Sequence, residues 1–207
     1  MSGLFVTFEG IEGAGKSTQT RMLVESLERD GVASVQVREP GGTPIAEAVR
    51  EVLLRSEAGV TAHAEALLFL AARAQNTAER IRPALEQGLV VVCDRYSDST
   101  LAYQGYGRGL DLSLIRAMDA FATGGLAPDV TFLLDLDAQV GLGRQSQRNR
   151  MEDEPLKFHD RVRCGYLEEA ARDRSRIRVL DGVRPAEELH HEIARAVASL
   201  LRARREA

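Results

Sequence analysis

Apolar runs alternate with amphipathic stretches along the chain. Five runs are typical of strands: LFVTFE (4–9), SVQVRE (34–39), LVVVCD (89–94), VTFLLDL (130–136) and RIRVLD (176–181). The first, third and fourth are apolar at successive positions, as in strands that helices cover on both faces of a parallel sheet. Between the runs, apolar residues recur with helical spacing, as in PIAEAVREVLL and AHAEALLFLAARAQNTAERIRPALEQ. The pattern predicts an α/β fold with a five-stranded parallel sheet flanked by helices.

The organisation of the chain indicates one domain over residues 1–207. No repeat, low-complexity tract or linker interrupts the pattern, and this length is enough for a sizeable core. One stretch differs from the rest: RQSQRNRMEDEP at 144–155 is polar, dense in charge and carries three arginines between two helical patterns. By itself it is typical of a charged surface loop, and the alternative is a short mobile lid.

Charge and composition exclude several classes of function. The chain has 27 Lys and Arg against 31 Asp and Glu, a formal net charge of −4, so it lacks the basic surplus of a nucleic-acid-binding protein. No apolar run approaches the roughly 20 residues that span a bilayer. The first strand begins at once, without a signal peptide, so we expect a soluble cytoplasmic protein. Cys93 and Cys164 form no C-x-x-C pair and, with four scattered histidines, give no zinc-site spacing.

A phosphate-binding loop follows the first strand. Residues 10–17 read GIEGAGKS and open a helix, so glycines let backbone N–H groups turn toward phosphates near a positive helix end. Lys16 can reach the β- and γ-phosphates, and the Ser17 hydroxyl can bind Mg²⁺. The complete strand–loop–helix context favours this over a turn that only caps the helix. The predicted ATP-binding residues here are Gly10, Ile11, Glu12, Gly13, Ala14, Gly15, Lys16, Ser17 and Thr18.

The loop leaves open where the phosphate goes. A GTPase would need a guanine-reading N-K-x-D segment, and the chain has none. The third strand ends in Asp94-Arg95-Tyr96, and ligands of such sheets bind at the carboxyl ends of strands. An acid and an arginine there favour a small phosphotransferase, while a nucleotide-dependent switch or regulatory ATPase remains the alternative.

The blocks FEGIEGAGKST, REPGGTPIAEAVR, LLFLAARAQ, DRYSDSTLAYQGYGRG and PDVTFLLDLD resemble, in order and spacing, successive blocks of the bacterial thymidylate kinase family. They cover most of the chain from 5 to 137. The resemblance implies a P-loop kinase that uses ATP and Mg²⁺ to convert dTMP to dTDP in dTTP synthesis, as a homodimer. The long apolar helix 64–81 could supply the dimer interface or be core. The nearest alternative is a kinase for another or a broader set of pyrimidine monophosphates.

The resemblance also implies roles in binding the acceptor. Glu12 corresponds to an acid that contacts the acceptor sugar, and Arg38 with the Glu39–Pro40 bond, often cis in the family, begins the acceptor-phosphate loop. Phe69 and Arg73, which share a helix face at i and i+4, correspond to the thymine-stacking ring and an arginine that bonds a base carbonyl. Core packing is the alternative for Phe69.

The segment after the third strand supplies further residues. Arg95 resembles the arginine that grips the acceptor phosphate, and Asp94 would lie near Mg²⁺ through water, or cap a helix. Thr100 and Gln104 could read the base edge, and Tyr103 resembles a residue beneath the sugar's 2′ position.

The lid is expected to supply charge that the phosphate loop lacks. None of the variable loop positions is an arginine, whereas the lid-like stretch carries Arg144, Arg148 and Arg150. Phosphoryl transfer depends on positioning and charge neutralisation. We therefore expect catalytic roles for Lys16, Arg95 and either Arg148 or Arg150, with Arg148 ahead. Arg144 continues a helical pattern, which suits stacking on the donor adenine.

Overall fold

The sheet has the predicted five parallel strands. In a computed structural model, which describes residues 3–55, 59–144 and 150–206, the strands are β1 Leu4–Glu9, β2 Ser34–Arg38, β3 Val90–Asp94, β4 Val130–Asp135 and β5 Ile177–Asp181. Their spatial order is β2-β3-β1-β4-β5. The segments after β1 and β3 are therefore neighbours at the carboxyl edge, and Phe8 pairs with Asp94 in the register.

Helices connect the strands and cover both faces of the sheet. The α-helices are α1 Lys16–Arg29, α2 Pro44–Arg55, α3 Ala62–Asn76, α4 Arg82–Glu86, α5 Ser97–Thr100, α6 Leu112–Thr123, α7 Ala138–Gly143, α8 Leu156–Arg172 and α9 Ala186–Glu206. Two π-helical segments, π1 Thr77–Ile81 and π2 Leu101–Gly107, continue α3 and α5. The stretch predicted as one helix from 62 to 87 thus changes its hydrogen bonding midway. The side chains of Asp111 and Asp137 cap α6 and α7 by accepting backbone N–H groups.

The core explains why the central strands are apolar on both faces. All six residues of β1 are buried. On one face Phe8 stacks near Phe132, with ring centroids 5.5 Å apart, and on the other Phe5 meets Tyr96 edge-on at 4.9 Å. Cys93 is buried in that second cluster. Within the described residues, no helix has the length and apolar character needed to cross a bilayer.

Candidate active site

The phosphate-binding loop wraps around the Lys16 ammonium. Gly10, Gly13 and Gly15 have φ values of 137°, 70° and 96°, which favour glycine. Lys16 Nζ donates to the Gly10 carbonyl at 3.0 Å and the Ile11 carbonyl at 2.7 Å. Burial, with a smaller effect from the nearby Arg95 charge, lowers the pKa of Lys16 to about 8. The loop therefore holds a cation in place before any phosphate arrives.

The end of β3 faces this loop. The Ser17 hydroxyl donates to Asp94 Oδ2 at 2.6 Å, which brings two oxygen ligands together. The next residue, Arg95, is the one non-glycine among the described residues with positive φ, at 70°, a conformation that side chains adopt at a cost. Its backbone N–H donates to the Phe8 carbonyl at 2.9 Å, which fixes the turn to β1.

The Arg95 guanidinium is oriented by four side chains. Nη1 donates to Ser99 at 3.2 Å and Tyr166 at 3.0 Å, and Nη2 donates to Glu12 at 3.2 Å and Tyr103 at 3.1 Å. The guanidinium carbon also lies 4.9 Å from the Tyr103 ring centroid. These contacts hold a half-buried positive charge at the wall of the cavity.

Glu12 is the acidic counterpart of Arg95. The Tyr103 hydroxyl donates to Glu12 Oε1 at 2.5 Å, and His159 Nδ1 lies 3.2 Å from Oε2. Burial alone would raise the pKa of Glu12, but His159 and the charges of Arg95 and Lys16 outweigh it and lower the pKa to about 2. The carboxylate is thus ionised and able to accept a hydrogen bond from a ligand.

The end of β2 and helix α2 supply more cations, on either side of the loop that joins them. The Glu39–Pro40 bond is cis, as the resemblance implied. Arg38 Nη2 donates to both oxygens of Glu47, at 2.9 and 3.0 Å. Arg50 Nη1 donates to the Pro40 carbonyl at 2.8 Å, and Arg50 also lines the cavity. Arg50 was not predicted as a site residue, although it closes the block REPGGTPIAEAVR. Its place in a block that carries the family resemblance was the signal that could have indicated it.

A cavity of about 560 Å³ joins these groups to the predicted base-binding residues. Its lining contains most of the predicted residues, namely Glu12, Gly13, Gly15, Lys16, Ser17, Thr18, Arg38, Pro40, Phe69, Asp94, Arg95, Thr100, Tyr103, Gln104 and Arg144. It also contains residues that the sequence analysis missed, namely Glu39, Arg50, Leu54, Ser99, Met151 and Glu152. Of the predicted loop residues outside this lining, Gly10 and Ile11 bond Lys16 through their carbonyls.

Arg73 lies behind the cavity wall rather than on it. Its side chain is 2% exposed, and four hydrogen bonds of 2.7–2.8 Å join its guanidinium to Glu39, Thr100, Asp119 and the Tyr96 carbonyl. A guanidinium has five N–H donors. The predicted bond to a base carbonyl stays a prediction and would have to use the remaining donor.

A second cavity, of about 340 Å³, opens on the other side of the phosphate-binding loop. Its lining includes Ala14 and the segment between β5 and α9, where Gly182 and Arg184 were not predicted. Arg144 lines both cavities, and its Nη1 donates to the Gly13 carbonyl at 3.1 Å. This arginine therefore stands at the boundary between them.

The expected catalytic role of Arg150 stays a prediction, and in this structure its side chain is bonded to the body of the fold. Its Nε donates to the Leu53 carbonyl and its Nη2 to Glu65 Oε2, both at 2.7 Å, so it is directed toward α2 and α3. It is absent from the lining of the main cavity. The carboxylate that pairs with Arg150 is the buried Glu65 on α3, which does not line the main cavity. Arg148, the first candidate, lies outside the described residues.

Comparisons with known proteins agree on one family. A family model described as thymidylate kinase matches residues 8–193. Among curated relatives, the "Thymidylate kinase" of Carboxydothermus hydrogenoformans is 50% identical over 196 residues, 93% of this chain and 96% of the relative. That of Deinococcus radiodurans is 51% identical over 199 residues, 95% and 97% of the two chains. The crystal structure of thymidylate kinase from Ehrlichia chaffeensis superposes with a TM-score of 0.77, at 34% identity, covering 95% of this chain and 99% of that one.

Proposed function

We propose a division of the main cavity between two nucleotides, on the premise that the chain belongs to the thymidylate kinase family and phosphorylates dTMP to dTDP with ATP. One observation carries the proposal. A single cavity is lined both by Lys16, Ser17 and Asp94 and by Phe69 and Gln104. The first set suits the phosphates of a donor, and the second suits the base of an acceptor.

The donor phosphates occupy the loop of residues 10–18. Lys16 contacts the charge that moves, and backbone N–H groups at the start of α1 add further donors. The adenine extends toward the second cavity, where Arg144 at the boundary can stack on it. The bond from Arg144 Nη1 to the Gly13 carbonyl lies in the plane of the guanidinium and leaves its flat face for that contact.

Ser17 and Asp94 hold Mg²⁺ together with the donor. Their oxygens lie 2.6 Å apart on the cavity wall, and both are the hard ligands that this ion prefers. The described residues include no group of three or more metal-ligating side chains. Mg²⁺ usually keeps several waters and is completed by substrate phosphates, so one hydroxyl and one carboxylate fit it. The ion would neutralise charge on the β- and γ-phosphates.

The acceptor lies across Glu12, Arg95 and Phe69. The Phe69 ring stacks on thymine, while Thr100 and Gln104 meet the polar base edge. Glu12 accepts from the sugar, and the Tyr103 ring fills the space beneath C2′, which disfavours a ribose.

Arg95 binds the acceptor phosphate, with Arg38 and Arg50 nearby in the same cavity. That phosphate is already ionised near neutral pH, so an in-line attack needs no strong general base. The lid cation comes from Arg148, since Arg150 is paired elsewhere.

We also propose a homodimer built on α3 and α6, which pack against each other. Leu67, Leu114 and Phe121 on these helices are 57%, 55% and 91% exposed, and a shared apolar surface of this kind marks an interface. Light scattering should give twice the monomer mass for the wild type and a shift toward monomer for Phe121→Asp.

A single domain over 1–207 with a lid at about 144–155, and a cytoplasmic location, stay predictions.

A kinetic split between the two substrates tests the proposed division. In a coupled assay, Phe69→Ala should raise the KM for dTMP much more than the KM for ATP, and Ser17→Ala should do the reverse. Across acceptors, dTMP should be best, dUMP moderately weaker because one methyl is worth about 1–3 kcal/mol, and AMP and GMP poor. Equal effects of either variant on both KM values would contradict the division. Equal use of AMP would contradict the assignment of the base site.

A further inference from the structure

Glu65 on α3 is a fully buried carboxylate that does not line the cavity. Its side chain is 0% exposed, and three residues donate to it. Gln104 Nε2 donates to Oε1 at 3.0 Å, Arg108 donates through Nε and Nη2 at 3.0 Å each, and Arg150 Nη2 donates to Oε2 at 2.7 Å. We call these four residues the Glu65 cluster. It joins α3 and the π2 region to Arg150, near the middle of the predicted lid at 144–155.

The cluster keeps Glu65 ionised. Burial alone would raise the pKa of Glu65, but hydrogen bonds from Arg108, Gln104 and Arg150 outweigh it and lower the pKa. Arg108 is also paired with Glu154, at 2.6 Å, so two arginines and two carboxylates balance in charge. An ionised carboxylate is only an acceptor. Whatever faces it from Gln104 must therefore be the amide nitrogen.

The orientation of the Gln104 amide has a consequence in the cavity. With Nε2 directed to Glu65, the amide oxygen Oε1 is left for a ligand, and no donor in the described parts of the chain bonds it. Gln104 lines the cavity beside Phe69 and Thr100. The base site thus presents an acceptor at this point, backed by a buried charge that keeps the amide from flipping.

We propose that Glu65 is a positioning residue for base specificity, which fixes Gln104 so that its Oε1 accepts the N3–H of thymine. Cytosine has a lone pair at N3, so the two acceptors would face each other without a hydrogen. Arg108 and Arg150 act by keeping the carboxylate charged. This inference rests on the proposed role of Gln104 in the acceptor site and adds the reason why that site takes thymine or uracil rather than cytosine.

Glu65→Gln tests the inference, because a neutral amide at position 65 lets Gln104 turn its nitrogen to the cavity. The ratio of kcat/KM for dTMP to that for dCMP should fall by at least about tenfold, since an unpaired polar group in a binding site discriminates strongly. A purely structural defect would lower both values alike and leave the ratio unchanged, which would overturn the proposal. If Glu65→Gln fails to fold, Glu65→Asp keeps the charge but withdraws it from Gln104, and the same fall is expected.

A matched control is Glu169→Gln. Glu169 is also a buried carboxylate that bonds an arginine, Arg116, and a tyrosine, Tyr106, but it lies on α8 away from the base site. Although Tyr106 lies on π2, Glu169 neither lines the cavity nor bonds Gln104. We therefore expect a lower melting temperature and an unchanged ratio of kcat/KM for dTMP to that for dCMP. A ratio that moves as far as in Glu65→Gln would show that any buried carboxylate has this effect, and would overturn the proposal.

Gln104→Ala separates this inference from the function on which it rests. If Glu65 acts through Gln104, Gln104→Ala alone lowers the ratio of kcat/KM for dTMP to that for dCMP. Adding Glu65→Gln to Gln104→Ala then lowers this ratio no further. A ratio unaffected by Gln104→Ala would reject the role of Gln104 in reading the base, and with it the inference. If Gln104→Ala lowers the ratio but Glu65→Gln and Glu65→Asp leave it at the wild-type value, only the role of Glu65 is rejected.

Discussion

The phosphate end of the cavity and the lid end both carry arginines, but the two ends use them differently. Arg95 follows β3 and is held beside Lys16 by hydrogen bonds that leave it facing the cavity. Arg150 lies within the predicted lid and donates to the Leu53 carbonyl and to Glu65. Because β3 lies beside β1 in the sheet, the loop after β1 supplies one of the partners of Arg95, namely Glu12. Arg150 lies in a charged loop, and its ion-pair partner is set by the packing that brings Glu65 of α3 next to it.

The two ends are joined at one close contact. A Cβ at Gly141 on α7 would lie 2.4 Å from the Glu12 carbonyl oxygen, and one at Gly13 would lie 2.1 Å from the Gly141 carbonyl oxygen. The helix that leads into the lid therefore rests directly on the phosphate-binding loop. Arg144, at the end of that helix, adds its bond to the Gly13 carbonyl. We infer that lid position and loop position are mechanically linked through α7.

The largest expected effect is at the phosphate end. Lys16→Ala should lower kcat by about 10³, because it removes a fixed cation that stabilises charge in the transition state. Arg21→Ala is the control, since Arg21 lies on the same helix in an exposed pair with Glu25. Steady-state kinetics with a melting curve for each variant checks this. Near-normal turnover in folded Lys16→Ala would remove the loop from the chemistry.

The next effect tests whether the lid end contributes charge at all. Arg148→Ala should lower kcat by about 10² with little change in the KM for dTMP, as expected for a donor that acts in the transition state. The measurement is kcat at saturating ATP and dTMP. If Arg148→Ala and the double variant with Arg150→Ala both keep the wild-type kcat, neither lid arginine supplies a catalytic cation. In that case only the arginines of the phosphate end would take part in catalysis.

A smaller effect is expected at the contact between the ends. Gly141→Ala should raise the KM for ATP by about tenfold, since overpacking against a backbone carbonyl costs about 1–3 kcal/mol. Gly143→Ala is a matched control on the same helix, where an added Cβ meets nothing within 4 Å. Equal KM values in the two variants would show that α7 does not transmit position to the loop.

The smallest effect on turnover is expected for Arg150→Ala. Removing one donor from buried Glu65 should lower the free energy of unfolding by about 1–3 kcal/mol, with kcat close to the wild-type value. Arg55→Ala, which removes an exposed arginine paired with Glu51, should leave both unchanged. Denaturant unfolding and kcat measured on the same preparations decide between the two roles. A large loss of kcat at full stability would restore Arg150 as a catalytic residue.

Local patterns in the sequence predicted the sheet and the phosphate end. Apolar runs of strand length, with glycines and Lys16-Ser17 directly after one of them, define strand, loop and helix over a few residues. Parallel strands bring their carboxyl ends to one edge, so the strand pattern alone predicts that Asp94 and Arg95 face the phosphate site, and Asp94 does bond Ser17. The cis Glu39–Pro40 bond was expected only from the family resemblance, because spacing alone does not determine it.

Tertiary structure alone decided the partners of the buried charges. Arg50 reaches the cavity because α2 packs beside the loop after β2, and Arg73 is paired with Glu39 and Asp119 behind the cavity wall. Glu65 and Arg150 are 85 residues apart in the chain, and no periodicity relates them. A buried charge costs free energy unless an opposite charge meets it. The packing of the helices decides which opposite charge pairs with each buried charge. The local patterns of this sequence do not determine that packing, so they do not predict these ion pairs.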